Sequence, residues 1–284
     1  MKEAALQSLT RRWSHTRSFR SAKTGVDQLV SFYGETYPMS AITPLEVERY
    51  RDHCRRLGNK PASINRKVSL LSSMLDDCVL YGQLASAPKM PVRLRMDNTK
   101  ERTFSMGEEV AFRQSFRVLG SHEYSDLMLF LIEMGCRFGE AQCALTGHVD
   151  IRHRTISFLK TKTSNPRTNP ITGALWTVIE RRLTPSSRGH LFPDLDYDQF
   201  KFQFDRVKGK LGLADDLALT PHCTRHTCAS RLIKHVSLAE VMHWGGWKSL
   251  SSVQRYLHLD TSGLGRAKQA LEDERASFFR SLEN

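Results

Sequence analysis

The sequence predicts a mainly α-helical chain with a small antiparallel β-sheet, an α+β architecture divided into two domains. Three observations carry this. Apolar residues recur at three- to four-residue spacing through most of the chain, which is the period of a helix with one buried face. One stretch, Arg154–Thr163, alternates instead, as a strand does. Between the two helical regions, residues 85–102 hold two prolines and a run of basic side chains, which reads as an extended linker.

In chain order, Val26, Leu29, Val30 and Tyr33 mark the first helical stripe. Thr43-Pro44 reads as a helix start, with Thr43 as N-cap and Pro44 in the first turn. Ser63 is expected to cap a further helix whose stripe is Ile64, Val68, Leu71, Leu75, Val79 and Leu80, with Arg66 and Lys67 on its first turn. The first domain is expected over 1–97, with the linker running to about 103 and carrying Arg93, Arg95, Lys100 and Arg102. The second domain, 104–284, opens on a Ser105/Glu108 capping box. An apolar helix at 125–134 follows, then a hairpin whose strands are Arg154–Thr163 and Arg167–Ile171. Helices are expected at about 172–183, 196–211, 221–235, 237–244, 249–257 and 264–282, the fourth opening on a Ser237/Glu240 capping box.

The net charge is +12, and residues 1–100 contain 17 Lys and Arg against 9 Asp and Glu. A basic surface of this size favours a polyanionic partner, and two thirds of the excess lies in the N-terminal third. The six cysteines form no Cys-x-x-Cys pair, which fits a reducing cytoplasm. His222, Cys223, His226 and Cys228 match no common zinc spacing, so no metal site is expected. The first 20 residues lack the apolar core of a secretory signal, and the longest dense apolar stretch, Leu127–Met134, is too short to span a bilayer.

Reactive side chains concentrate between Thr220 and Leu259. His222 and Arg225 share a helix face near an N-terminus, where an exposed Arg and His suit an anion. Trp247 follows a Gly245-Gly246 stop, and Tyr256 sits on a short helix. Upstream, Arg137 follows Gly135 three residues before Glu140, and Lys160 and Lys162 lie near the hairpin tip. Each residue taken singly has an ordinary structural explanation. Together they resemble, in order and spacing, the tyrosine recombinase (phage integrase) family. The resemblant blocks are Met134-Gly135-Cys136-Arg137-Phe138-Gly139-Glu140, Thr161-Lys162-Thr163 with Arg167-Thr168-Asn169-Pro170-Ile171 returning, His222-Cys223-Thr224-Arg225-His226, Gly245-Gly246-Trp247 and Tyr256-Leu257-His258, over about residues 125–260. Trp247 stands where many members have His, Met134 replaces a Thr, and His148 stands where an Asp is common.

The resemblance implies a two-domain DNA clamp, with a helical core-binding domain and a tyrosine recombinase catalytic domain. It implies Tyr256 as nucleophile and Arg137 and Arg225 on the non-bridging phosphate oxygens. It makes Lys162 the acid for the leaving 5′-oxygen, His222 an aid to proton transfer from Tyr256, and Trp247 a hydrogen-bond donor to the phosphate. Glu140 would orient Arg137 or His226. Arg66, Lys67, Arg93, Arg95 and Lys100 would contact duplex DNA. No cofactor is implied, because a 3′-phosphotyrosyl link preserves the bond energy without ATP, and no metal. The implied partners are double-stranded recombination sites, further copies of the chain in a tetramer joined through helix 264–282, and accessory DNA-bending or directionality factors. The setting is the cytoplasm, at the nucleoid. Integration and excision of a phage or mobile element is the leading reading. A Xer-like or plasmid dimer resolvase, a type IB topoisomerase-like relaxing enzyme and a non-catalytic DNA-binding protein are the alternatives.

Overall fold

The computed structural model describes residues 1–16, 18–95, 102–159, 166–183 and 189–257, with residues 265, 268–269 and 271–273. Lys100, Lys162, the hairpin tip and nearly all of the expected helix 264–282 lie outside the described residues. Backbone contacts divide the chain into two compact units, residues 1–99 and 100–284.

The N-terminal unit is helical: α1 (Lys2–Ser8), a π-helical turn (Leu9–Trp13), α2 (Phe19–Tyr33), α3 (Pro44–Arg56) and α4 (Pro61–Leu80). Its core joins Met1, Ala5 and Leu9 to Val26, Leu29, Val47, Tyr50, Ile64, Leu71 and Leu75. The sequence reading began its helices near residue 21 and gave α1 no place, because Ala4 and Ala5 are too small to mark an apolar stripe. Gly25 lets α2 approach α4: a Cβ there would lie 2.4 Å from Leu70 Cδ1. Thr43 caps α3 as expected, its hydroxyl accepting from the Glu46 amide. Ser63 does not cap α4. Pro61 begins that helix, since its fixed φ suits the first turn, and Ser63 already lies within it. Arg66 and Lys67 therefore sit on the second turn. Arg66 is exposed and donates to Ser21, and Lys67 donates to Asn59.

The segment expected to be a free linker is partly bound. Asn65 donates to the Leu94 carbonyl at 2.8 Å and accepts from the Leu94 amide at 2.9 Å. Arg51 donates to the Pro91 carbonyl. Residues 91–95 are thus pinned along α3 and α4, with Arg93 and Arg95 exposed.

The second unit is built on α5 (Met106–Val118) and α6 (His122–Met134). It continues through α7 (Phe138–Gln142), β1 (Val149–Asp150), β2 (Thr155–Phe158), β3 (Arg167–Pro170), α8 (Gly173–Glu180), α9 (Tyr197–Lys210), α10 (Cys223–Leu232), α11 (Leu238–Gly245) and α12 (Ser251–Leu257). The capping boxes Ser105/Glu108 and Ser237/Glu240 both form. Arg102 reinforces the first, binding Glu108 and also Asp216. Leu127–Ile132 are all buried, as a helix apolar on every side must be. Around α6, which contributes Phe130, pack Phe112, Phe116, Phe192, Phe200 and Phe204.

The sheet is antiparallel in the order β1-β2-β3, with one short strand more than the sequence suggested. Ile156 and Phe158 face inward, and Phe158 pairs with Arg167. A smaller core joins Ala229, Ile233, Val241, Trp247, Val253 and Tyr256. No described helix is long and apolar enough to cross a membrane.

Candidate active site

Helix α6 ends at Gly135, whose φ of 56° is left-handed. A Cβ at this position would lie 2.8 Å from Cys228 Sγ, so glycine is required twice, by conformation and by space. The turn aims the Gly135 carbonyl at α10, where Arg225 Nη1 donates to it at 2.5 Å. The same nitrogen donates to the Gly245 carbonyl at 2.7 Å. Arg225 is therefore fixed by backbone from two sequence blocks more than one hundred residues apart.

Its other terminal nitrogen, Nη2, is buried and has no hydrogen-bond partner among the described residues. Glu140 Oε2 lies 3.8 Å from Nη1, and the Trp247 ring lies 4.0 Å from the guanidinium carbon. Burial, and after it the charge of Arg137, push the Arg225 pKa down to about 10, with Glu140 opposing both. A buried guanidinium whose charge burial and a neighbouring cation both oppose favours an anion beside it. The sequence placed Arg225 exposed beside His222 at a helix N-terminus. In the structure Arg225 is buried and His222 is exposed, because Arg225 points from α10 toward α6 and the Gly245 turn.

Glu140 accepts from the Arg137 backbone amide at 2.8 Å and from Arg167 at 3.1 and 3.4 Å. The resemblance carries Arg167 only as the first residue of the returning strand, with no role in the site. It is a site residue, with its side chain 1% exposed. Its Nε donates to the Trp244 carbonyl, and its guanidinium lies over the Phe158 ring. The signal that could have found it is the hairpin register. A residue opposite inward-facing Phe158 must itself face inward. Arg167 thereby ties the sheet, the Arg137–Glu140 turn and the end of α11 into one piece.

That end of α11 is close-packed. Gly246 adopts φ 67°, and a Cβ on Gly245 would lie 1.9 Å from Trp247 Cζ3. Trp247 was expected as a hydrogen-bond donor to a phosphate. Its described contacts are the stack on Arg225 and the small core it shares with Tyr256.

Tyr256 is buried on α12, and its hydroxyl is hydrogen-bonded to Nδ1 of His226. Here the sequence had placed His222. His222 instead stands edge-on to His226, with ring centroids 4.8 Å apart. Arg137, Glu140, His222, Arg225, His226, Trp247 and Tyr256 therefore lie in one connected neighbourhood. Among the described residues no group of three or more His, Cys, Asp or Glu side chains is placed to hold a metal.

Residues 116–262, more than half of the chain, match the profile of the phage integrase family. The chain belongs to that family. It is 27% identical over 220 residues to a protein named Integrase from Escherichia phage P2, covering 76% of this chain and 61% of the relative's length. Among solved structures, the Tn1549 transposon integrase in complex with circular intermediate DNA superposes with a TM-score of 0.74 at 14% identity. That match covers 94% of this chain and 98% of the other. A lambda integrase tetramer bound to a Holliday junction gives a TM-score of 0.70 at 14% identity, covering 89% and 75%. At such identities the likeness speaks for the fold. Within this member of the family, Arg167 and His226 are the site residues that the motif resemblance did not put in their observed places.

Proposed function

We propose that this chain is a site-specific DNA recombinase of the integrase type. It cleaves and rejoins strands through a 3′-phosphotyrosyl link to Tyr256, in the integration and excision of a phage or mobile element. The observation that carries this is the buried Arg225 guanidinium. One of its nitrogens is anchored by two backbone carbonyls, and the other has no partner among the described residues. Such a group suits a phosphate oxygen, which would supply both the missing acceptor and the missing negative charge. Arg137 supplies the second cation, and Trp247 stiffens Arg225 from one face.

In the reaction, the Tyr256 oxygen attacks phosphorus and the 5′-oxygen leaves with a proton from Lys162, the acid that the family resemblance supplies. A 5′-hydroxyl from a partner duplex then reverses the step. The basic N-terminal unit would hold the duplex, with Arg66, Arg93 and Arg95 on its exposed surface and Lys67 beside them. Assembly would be a tetramer on paired sites, with residues 264–282 docking onto a neighbouring copy and accessory factors bending the DNA. The phage P2 relative and the lambda tetramer on a Holliday junction support this reading.

The test is a nicked suicide duplex carrying the element's junction sequence. Wild-type protein is expected to form a covalent complex resistant to denaturation, and Tyr256→Phe none. Absence of a wild-type adduct overturns the proposal, and an adduct with the Phe variant moves the nucleophile elsewhere. Relaxation of a plasmid lacking that sequence would point instead to a topoisomerase.

A further inference from the structure

We infer that His226, rather than His222, takes the phenolic proton of Tyr256 and is the acid–base residue of the nucleophile. The inference rests on the function proposed above and assigns a step within it.

The geometry is direct. His226 Nδ1 and the Tyr256 hydroxyl are hydrogen-bonded across the α10–α12 contact, the rings 5.8 Å apart and tilted by 46°. Tyr256 is 1% exposed and His226 half-buried, so the pair is shielded from bulk water. Other phenols in the protein are arranged differently. Tyr33 and Tyr37 donate to the backbone carbonyls of Glu46 and Ala41. A carbonyl can accept a hydrogen bond but cannot keep a proton, whereas an imidazole can do both.

His222 is one step removed. It stands at the start of α10, exposed, with its ring perpendicular to that of His226. Residues 225 and 226 are consecutive on the same helical turn. One directs its guanidinium at the Gly135 and Gly245 carbonyls, the other its imidazole at Tyr256. A single rigid turn thus fixes the proposed phosphate clamp and the proton acceptor together, the kind of preorganisation that lowers a barrier.

The Tyr256 O–H bond breaks, and its proton passes to His226 Nδ1. The phenolate oxygen bonds to phosphorus, and the P–O5′ bond breaks with its electron pair going to the 5′-oxygen, which is protonated by the separate acid. On rejoining, the incoming 5′-hydroxyl gives up its proton to that acid's conjugate base. Its oxygen bonds to phosphorus as the P–O bond to Tyr256 breaks with the electron pair going to the phenolic oxygen, and His226 returns its proton to that phenolate.

The test is single-turnover adduct formation on the suicide duplex, prepared once with an ordinary 5′-oxygen leaving group and once with a bridging 5′-sulfur, which leaves without a proton. His226→Asn keeps an acceptor near the position of Nδ1 but cannot carry the proton. It is expected to slow adduct formation by about 10²- to 10³-fold on both substrates, the usual range for loss of a general base. Lys162→Ala is expected to recover on the sulfur substrate, and His222→Asn to slow the step less than His226→Asn. A His226→Asn rate within threefold of wild type overturns the inference, as does a loss that the sulfur substrate repairs. Unchanged thermal stability and duplex binding establish that His226→Asn is folded. Should it not fold, the ¹⁵N shifts of His226 in wild-type protein decide. The tautomer protonated at Nε2, leaving Nδ1 as acceptor, is expected, and the opposite tautomer overturns the assignment. A wild-type protein that forms no adduct at all refutes the recombinase reading instead, so the two failures remain distinct.

Discussion

In the N-terminal unit, Asp77 is buried with both oxygens engaged: Ser8 donates to one at 2.6 Å, and Arg12 to the other at 2.7 Å. In the second unit, Arg225 is buried with one terminal nitrogen anchored and the other unpartnered among the described residues. Burial works against the Asp77 charge, yet hydrogen bonds from Arg12 and Ser8 outweigh it and hold the carboxyl below its ordinary value. Burial also works against the Arg225 charge and is not outweighed, so its pKa falls to about 10. A buried charge that is fully paired is part of the scaffold. One that is kept charged and incompletely paired is held ready for a ligand.

The sharpest way to break this comparison is Arg225→Met. Adduct formation should fall by at least about 10²- to 10³-fold, as when an oxyanion donor is removed. Thermal stability should hold or rise, because an apolar side chain replaces a charge the fold does not fully satisfy. A large drop in melting temperature would make Arg225 scaffold after all.

Arg167→Met tests the boundary between the two cases. Arg167 is the close partner of buried Glu140, and losing one member of such a pair costs about 3 kcal/mol or more. Calorimetry should show a clear loss of stability, and adduct formation should slow as the Arg137–Glu140 turn loosens. Next comes Asp77→Asn, expected to cost about 1–3 kcal/mol in denaturant unfolding while leaving the adduct rate of the folded protein unchanged.

The smallest effect is a pH dependence. Arg102, with help from the Ser105 backbone and hydroxyl, lowers the Glu108 pKa to about 2. Its folded value lies below its unfolded one. The stability it adds is therefore present above about 4.5 and is lost as the pH falls toward 2. Glu108→Gln should flatten that part of the stability–pH curve, and an unchanged slope would remove Glu108 from the account.

Features fixed by neighbours in sequence were legible in advance. Thr43, Ser105/Glu108 and Ser237/Glu240 cap helices because the cap and the amide it serves lie within one turn. The inward alternation of Ile156 and Phe158 was equally local. Local reading failed where a stronger local constraint intervened, as Pro61 displaced Ser63 as the start of α4. It failed more deeply where partners are distant in sequence. Nothing near Arg225 announces that carbonyls at 135 and 245 will enclose it. Nothing near Arg167 announces Glu140 until the hairpin register is known. The motif blocks named the cast of the site, but the imidazole hydrogen-bonded to Tyr256 is that of the second histidine of its block, a distinction only the three-dimensional contact makes.

The stack of Trp247 on Arg225 has an optical consequence. Indole emission responds to the electric field across the ring, and here a guanidinium cation sits 4.0 Å from that ring on one face. An anion arriving at Arg225 would reverse much of that field. Trp247, one of four tryptophans, would thus add a shift in emission colour when a phosphate engages the pocket, without any label attached.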